Sequence, residues 1–433
     1  MAGSTDALLQ PPPLTDAGMS RPGGAVDAIE DVVPRLVIEP ATADDVAAVL
    51  AWASRERLMV VVRGAGTKLT WGRRPGPVDL VLSLRRLNRV LSHDHADLIA
   101  SVEAGTTLAA LNGALARHGQ WLPLDAAEGA TIGGTIATND SGPLRHRYGT
   151  PRDLLIGVRL ATADGRLVKA GGNVVKNVAG YDLGKLVSGS YGTLAVIVSA
   201  TFKLSPVPVS SKTLVAIFQN GDAVARAAAA VSASQLEPAA HEIQAAAGAG
   251  RQHPATHRLL IRFATAPGAT DAQIEQARAL VAGGVAGGDA GGDAGVVSGD
   301  EEAALWRDHA NQIWAMPGSV LKAGWLPATL PAILALVDEL GRPEGRAVEL
   351  IGRAGVGSGL IRLDGNSAWQ ASAIERLRTL PDLLRHVTVL RATASVKKAV
   401  DTWGPLGAAG TLAAAVKRAL DPGGILNAGR GPV

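Results

Sequence analysis

The 433-residue chain contains no cysteine. That single absence excludes disulfides, thiolate-held iron–sulfur clusters, a cysteine nucleophile and a cysteinyl cofactor bond. Electrons handled by this chain cannot leave through a cluster of its own. An excess of one charge is also missing: 42 basic residues face 39 acidic ones, for a net charge of +3. No nucleic-acid grip is expected without a concentrated basic face. No apolar run approaches the roughly 18 residues that cross a bilayer, and the longest, such as 194–200, are strand-sized. The N-terminus lacks a basic region leading into an apolar core, so no secretory signal is read and a cytoplasmic location is the expectation.

Several catalytic signatures are absent as well. There is no G-x-S-x-G elbow, no G-x-x-x-x-G-K-[ST] triphosphate loop, and no strand followed by a G-x-G-x-x-G fingerprint with its acidic residue. His93 and His95 stand two apart in a polar stretch, and His253 and His257 four apart, with no acidic companion at ligand spacing. Solvated side chains, and no metal site, are the reading.

What is present is a folded, multi-domain composition: 47% hydrophobic and 19% charged residues over a length too great for one ordinary core. Residues 1–28, with prolines 11–13 and Pro22, Gly23 and Gly24, read as a flexible tail. From Val33 the texture changes. Residues 35–40 read as a strand, and Thr42, Asp44 and Asp45 cap a helix running to about Arg57. The run 58–62 is a buried strand, 78–82 and 99–102 are further strands, and 107–119 is a helix with Leu108, Leu111 and Leu115 on one face. A hairpin turning at Asp164 and Gly165 joins 154–161 to 167–169, and 191–204 reads as one long buried strand that Pro206 and Pro208 terminate. Alternating helix and strand resume beyond 208, interrupted by the Gly/Ala/Asp-rich stretch 283–299, which reads as a flexible loop.

Three glycine clusters sit at the junctions of these elements. The first, Arg63, Gly64, Ala65, Gly66, Thr67 and Lys68, follows a buried strand, and its backbone N–H groups, hydroxyl and ammonium suit a diphosphate. A plain turn is the alternative. The second surrounds Gly133 and Gly134 with Thr131, Thr135, Thr138 and Asn139, a pattern that lets a planar group or another backbone approach closely. A glycine-kinked helix start is the alternative there. The third runs from Gly180, Tyr181 and Asp182 to Ser188, Gly189, Ser190, Tyr191 and Gly192; Tyr181 is read either as part of a site or as a half-buried aromatic.

In this order and spacing the clusters resemble the FAD-binding domain of the vanillyl-alcohol-oxidase/p-cresol-methylhydroxylase flavoproteins, over about residues 33–207. An echo lies at Leu426, Asn427, Ala428, Gly429 and Arg430, near where that family commonly carries an Asn-Pro-Gly motif. Residues 173–183 look most like the FAD-binding E subunit of bacterial glycolate oxidase. The resemblance implies an α+β fold: a two-subdomain FAD-binding domain (29–207), an α+β cap domain (208–405) that covers the flavin ring, and a C-terminal segment (406–433) returning to the flavin domain. It implies that Arg63, Gly64, Ala65, Gly66, Thr67 and Lys68 wrap the FAD pyrophosphate. Thr131, Gly133, Gly134, Thr138 and Asn139 would lie along the ribityl and ring region. Gly189, Gly192 and Ile197 would hold the adenosine side, and Asn427 and Arg430 would approach the flavin.

Two departures from the family pattern bear on function. The first loop has no histidine and the chain no cysteine, so non-covalent FAD is expected. The catalytic D subunit and related D-2-hydroxy-acid dehydrogenases carry a His-x-Gly-Asp-Gly-Asn-x-x-His-like metal motif in the cap; the nearest stretch here, Gly352, Arg353, Ala354, Gly355, Val356 and Gly357, has no histidine. Oxidising a 2-hydroxy acid needs a base and a charge anchor for its carboxylate. The resemblance therefore implies an FAD-binding subunit of a glycolate oxidase complex. A D-like flavoprotein subunit would supply the site for a small 2-hydroxy acid, and an iron–sulfur subunit would take the electrons. The complex would touch the inner face of the membrane only peripherally. A self-sufficient D-2-hydroxy-acid dehydrogenase and a non-catalytic scaffold subunit are the alternatives.

Overall fold

The computed structural model describes residues 9–15, 18–173, 180–248, 257–283 and 294–432. Residues 1–8 of the tail, 174–179 of the glycolate-oxidase-like motif, His253 and residues 284–293 of the glycine-rich loop lie outside the described residues. The chain divides into two compact units. One comprises Met1–Asp140, Thr150–Pro206 and Leu406–Val433, the other Ser141–Gly149 and Val207–Pro405.

Among the described residues the first unit holds two main sheets, besides a two-stranded pairing of Ser205–Pro206 with Gln120–Trp121. The smaller orders its strands Met19–Pro22, Leu36–Glu39, Leu80–Ser83, Val60–Arg63, antiparallel in the first pair and parallel in the others. Part of the stretch expected as a loose tail is thus an edge strand. Parallel strands need a crossover, and the helix Ala43–Arg55 supplies it. The Thr42 hydroxyl accepts the Asp45 amide at 3.0 Å, while Asp44 and Asp45 in the first turn and Arg55 in the last complement the helix dipole. Val46, Val49, Leu50 and Ala53 recur on one face and are completely buried. Each of the larger ones contributes about 1.5–3 kcal/mol relative to an exposed side chain.

The second sheet is antiparallel throughout, in the order Val90–Asp94, Ile99–Glu103, Val196–Lys203, Leu155–Ala161, Leu167–Gly171. The strand expected over 191–204 starts only at Val196. Tyr191 (φ 55°) and Gly192 (φ 69°) turn the backbone left-handed and hold it out of the ladder. The C-terminal segment pairs with the edge of the smaller sheet: Val60 donates its N–H to the Ile425 carbonyl at 2.9 Å, and Asn427 donates to the Val60 carbonyl at 2.8 Å. One apolar core, including Leu50, Leu82, Leu111, Phe202 and Leu426, runs between both sheets.

Among the described residues the second unit centres on one eight-stranded antiparallel sheet made of two modules of like topology. Ser210–Phe218, Ala240–Gly248, His257–Thr265 and Ala294–Ser298 form one βαββαβ module with helices Gly221–Ala233 and Pro267–Gly283. Ser319–Gly324, Ala347–Arg353, Ser358–Asp364 and His386–Arg391, with helices Leu330–Gly341 and Ser367–Arg378, form the other. Each module has the ferredoxin-like arrangement, with its first and third strands central. They join edge to edge through Ala240–Gly248 and Ala347–Arg353. The end of the stretch expected as a loop is therefore a strand, Ala294–Ser298, paired to Ser210–Phe218. Alternate residues such as Phe218, Ile243, Ile261, Leu321 and Leu350 pack against the four helices. His257, expected as solvated, is buried where its strand begins.

The other face of that sheet mixes apolar residues with a buried polar cluster, and the helix Gly299–Ala315 brings Glu302 and His309 to it. Glu242 is fully buried there, with Arg353 Nε at 3.1 Å and His309 Nε2 at 3.1 Å. Gln244 Nε2 lies 2.7 Å from His309 Nδ1, so the amide donates to Nδ1 and Nε2 is left to donate to the carboxylate. Burial by itself raises a carboxyl pKa, but the Arg353 charge and the His309 hydrogen bond outweigh it and hold Glu242 below its ordinary value.

Removing one partner of such a pair leaves a buried charge uncompensated. Arg353→Met is expected to cost about 3–5 kcal/mol of stability at neutral pH, read as a lower urea midpoint, and adding Glu242→Gln should recover part of the loss. Because the folded-state pKa of Glu242 is depressed, its contribution is complete above the ordinary carboxylate range and fades as pH falls through the lower folded value. The urea midpoints of parent and Arg353→Met should therefore converge in acid.

Candidate cofactor site

A cleft opens in the first unit. Four stretches of chain far apart in sequence wall it: the loop after Val60–Arg63, the start of the helix Ile132–Thr138, the left-handed turn before Val196–Lys203, and the C-terminal residues Asn427 and Arg430. Val62, Leu84, Ala104, Ala137, Ala195 and Val196 make much of its surface apolar.

The first loop turns tightly because Gly66 adopts φ 84°, with Leu69 N–H donating to the Gly66 carbonyl at 3.2 Å and Trp71 N–H to the Lys68 carbonyl at 3.1 Å. Gly64 lies against the helix cap so closely that a Cβ there would sit 2.1 Å from Thr131 Oγ1. The Arg63 side chain turns away to Asp27, 3.1 Å distant, which Arg21 also grips. The Arg21 hydrogen bonds, helped by Gly24 N–H and Arg63, hold that carboxyl far below the usual carboxylate range in spite of its burial. Arg63 thus offers the cleft mainly its backbone. Lys68 does offer charge: its ammonium lies 2.9 Å from Asp140 and 5.6 Å from the Trp71 ring centre.

The second cluster is a helix start. Thr131 Oγ1 accepts the Gly134 amide at 3.4 Å. The Ile132 and Gly133 amides are already bonded to the carbonyls of Thr106 and Ala104, both at 2.8 Å. Those two N–H groups are not free for an anion, and the close-approach role prevails: a Cβ on Gly133 would meet the Ala104 Cβ at 2.8 Å. Gly134 remains on the cleft wall.

The fourth wall fixes the others. Asn427, left-handed at φ 44°, accepts the Val62 amide on Oδ1 at 3.1 Å and donates from Nδ2 to the Tyr191 carbonyl. Arg430 donates to the carbonyls of Leu69 and of Trp71, the latter at 2.9 Å. Burial lowers the Arg430 pKa. It raises that of the buried Tyr191 phenol, with the Asp140 charge adding to the effect, so the phenol keeps its proton.

Of the residues expected from the sequence, Arg63 to Lys68, Thr131, Gly133, Gly134, Thr138, Gly192, Ile197, Asn427 and Arg430 line the cleft. Asn139 and Gly189 do not. Asn139 ends the helix at φ 44° and accepts the Arg152 amide at 3.2 Å, and Gly189 donates to the Ile136 carbonyl at 3.0 Å. Both shape the turns behind the wall. Tyr181 is 91% exposed rather than half-buried. Tyr191, Leu84 and Ala104 were not singled out as site residues; Tyr191 lay within a flagged motif, whereas Leu84 and Ala104 carry no local signal. His93, read as solvated, is half-buried with its Nε2 2.8 Å from Gln120 Oε1, and His118 packs beside it and His95. Among the described residues no group of three or more His, Asp or Glu side chains is arranged to hold a metal ion.

A glycine-lined, partly apolar cleft with a lysine at one loop suits a cofactor that carries a diphosphate. Residues 34–171 match the family model described as FAD binding domain; this part of the chain is an FAD-binding domain, and FAD is its cofactor. Among curated proteins, the chain is 36% identical over 212 residues to glycolate oxidase subunit GlcD of Bacillus subtilis, covering 48% of this chain and 45% of that protein. It is 36% identical over 166 residues to glycolate oxidase subunit GlcE of Escherichia coli, covering 37% and 47%. It is 40% identical over 172 residues to a D-lactate dehydrogenase of Archaeoglobus fulgidus, covering 40% and 39%. The chain thus spans less than half the length of these relatives. In fold it is similar to an alkyldihydroxyacetonephosphate synthase (TM-score 0.68, 17% identity, 92% of this chain and 76% of that one). It is similar also to Phl p 4.0202, a glucose dehydrogenase (TM-score 0.63, 15% identity, 93% and 91%). Among the described residues no helix is long and apolar enough to cross a membrane.

Because the Gly64 Cβ position overlaps Thr131, Gly64→Ala should force the loop from the helix cap. A strain of about 1–3 kcal/mol corresponds to FAD binding weakened roughly 5- to 150-fold. Titration of flavin fluorescence measures it, and Gly64→Ala with Thr131→Ala should regain part of the affinity.

Proposed function

We propose that the chain is the FAD-binding subunit of a glycolate oxidase (glycolate dehydrogenase) complex, supporting oxidation of glycolate to glyoxylate with electrons passed to partner subunits. The observation that carries this reading is Arg353. It stands in the nearest glycine-rich stretch of the cap, which has no histidine, it is 4% exposed, and Glu242 holds its guanidinium. Glycolate oxidation removes a hydride from carbon and a proton from oxygen, and needs a base and a carboxylate anchor within reach. A position closed by an internal ion pair supplies neither. Matches to both a D-type and an E-type glycolate oxidase subunit support the assembly. The absence of cysteine fits an iron–sulfur partner that takes the electrons.

Bound FAD supplies the two-electron acceptor for this chemistry. The chain's own share is to hold it: backbone amides of 63–68 and the Lys68 ammonium suit a diphosphate, and the apolar wall around Val62, Leu84 and Ile197 suits flat rings. Asn427 and Arg430 keep that wall in place. Association with the inner face of the membrane would come only through the complex.

The match to a D-lactate dehydrogenase favours a second reading, a self-sufficient D-2-hydroxy-acid dehydrogenase. One experiment separates them. The tagged chain purified alone should take up FAD and show flavin absorbance, yet reduce no artificial acceptor with glycolate or D-lactate. Co-expressed with its D-like and iron–sulfur partners, it should co-purify with them in an active, iron-containing complex. Steady turnover by the isolated chain would establish the second reading instead.

A further inference from the structure

We propose that Asp140 is a built-in competitor for the cofactor's diphosphate: it occupies the Lys68 ammonium when the cleft is empty and releases it when the diphosphate binds. The inference rests on the reading of this cleft as the FAD site, and it assigns Asp140 the role of setting affinity. The argument begins with the cations. Arg63, Lys68 and Arg430 all border the cleft. Arg430 is braced on the carbonyls of Leu69 and Trp71. Arg63 and Lys68 each face a carboxylate, but the two carboxylates differ. The Asp27 side chain is 2% exposed and held by Arg21, Arg63 and the Gly24 amide, so parting it from Arg63 would leave it buried with less compensation.

Asp140 is 23% exposed, while the Lys68 it pairs with is only 7% exposed. Asp140 follows directly on the left-handed Asn139 that ends the helix, so its side chain has water within reach when the pair parts. Lys68 has no such exit. Its ammonium is enclosed between Asp140 and the Trp71 ring, and a buried ammonium needs an anion in one state as in the other. A diphosphate entering the first loop meets that need, and the pair can then exchange one anion for another without stranding the lysine. Lys68 is thus a positioning cation whose availability Asp140 controls.

The test uses the 433-residue chain stripped of flavin, with three probes: FAD, ADP and riboflavin, the last lacking phosphate. Asp140→Asn should tighten FAD and ADP by about tenfold, one decade of dissociation constant, and leave riboflavin unchanged. Lys68→Met should weaken FAD and ADP by a similar factor. In the double variant the gain from Asp140→Asn should vanish, since it acts by freeing Lys68. Asp140→Ala provides a second route to the same gain, and thermal melting of each flavin-free variant confirms that it folds. Unchanged or weaker FAD binding by folded Asp140→Asn and Asp140→Ala would overturn the proposal while leaving the cofactor reading intact. So would a gain that persists in the Lys68→Met background, because that marks simple repulsion by Asp140. A parent chain that binds neither FAD nor ADP would overturn the cofactor reading itself, and the competitor role with it.

Discussion

One side-chain amide, that of Asn427, joins three parts of the cleft that the chain visits at widely separated times. It takes the N–H of Val62 in the strand leading to the first glycine loop and gives an N–H to the carbonyl of Tyr191 in the third cluster. Its own backbone N–H pairs with Val60. A Cβ on Gly192 would collide with this amide at 2.8 Å, so the third cluster can seat against it only as glycine. The contact between Val62 and Asn427 spans 365 residues. Closing so long a loop carries an entropic cost, though one that grows only slowly with length. The apolar burial of Ile425 and Leu426 beside Asn427 offsets it. The cofactor wall is consequently completed by Asn427 and Arg430, far in sequence from the glycine clusters.

Charge is handled in two ways in this molecule, and burial decides which. Where a carboxylate is sealed, as at Asp27 and Glu242, it is held by more than one donor and serves as structure. Where the carboxylate keeps some contact with water, as at Asp140, its partner can change. The desolvation cost of an unpaired ion, several kcal/mol for a sealed site, makes this difference functional. The second unit follows the same logic on a larger scale. One face of its sheet packs mainly apolar side chains against four helices, while Glu242, Gln244, His309 and Arg353 gather at the other. Sheet alternation lets neighbouring residues on one strand carry these opposite duties.

Much of the first unit was legible in the sequence, because its signals are local. The helix Ala43–Arg55 carries its own cap and periodic apolar face. The strand Val60–Arg63 follows from a short apolar run, and the glycine loops follow from residues that only special backbone angles require. Less legible were the features that depend on distant partners. Nothing near Met19–Pro22 marks it as a strand, since only pairing with Leu36–Glu39 makes it one. The like topology of the two modules in the second unit is another such feature, since it lies in strand order rather than in any local signal. The start of the long strand before Val196 was misplaced for a different reason: Tyr191 takes a left-handed conformation that local propensity disfavours and its surroundings impose.

The sequence by itself determined the chemistry that is excluded and the cofactor class that remains. No cysteine means no cluster or thiolate, and three glycine clusters in one order resemble an FAD-binding domain, which the family match over residues 34–171 supports. It also determined most residues of the cleft wall, since glycine, threonine and lysine at loop junctions announce themselves through backbone angle and charge. Tertiary structure alone decided how those residues divide their duties. It turned Arg63 toward Asp27, set Lys68 against Asp140, withdrew the Ile132 and Gly133 amides into the fold, and placed Asn139 and Gly189 behind the wall. Which atoms of a loop face a ligand depends on what the rest of the chain has already bonded, and those partners lie tens to hundreds of residues away.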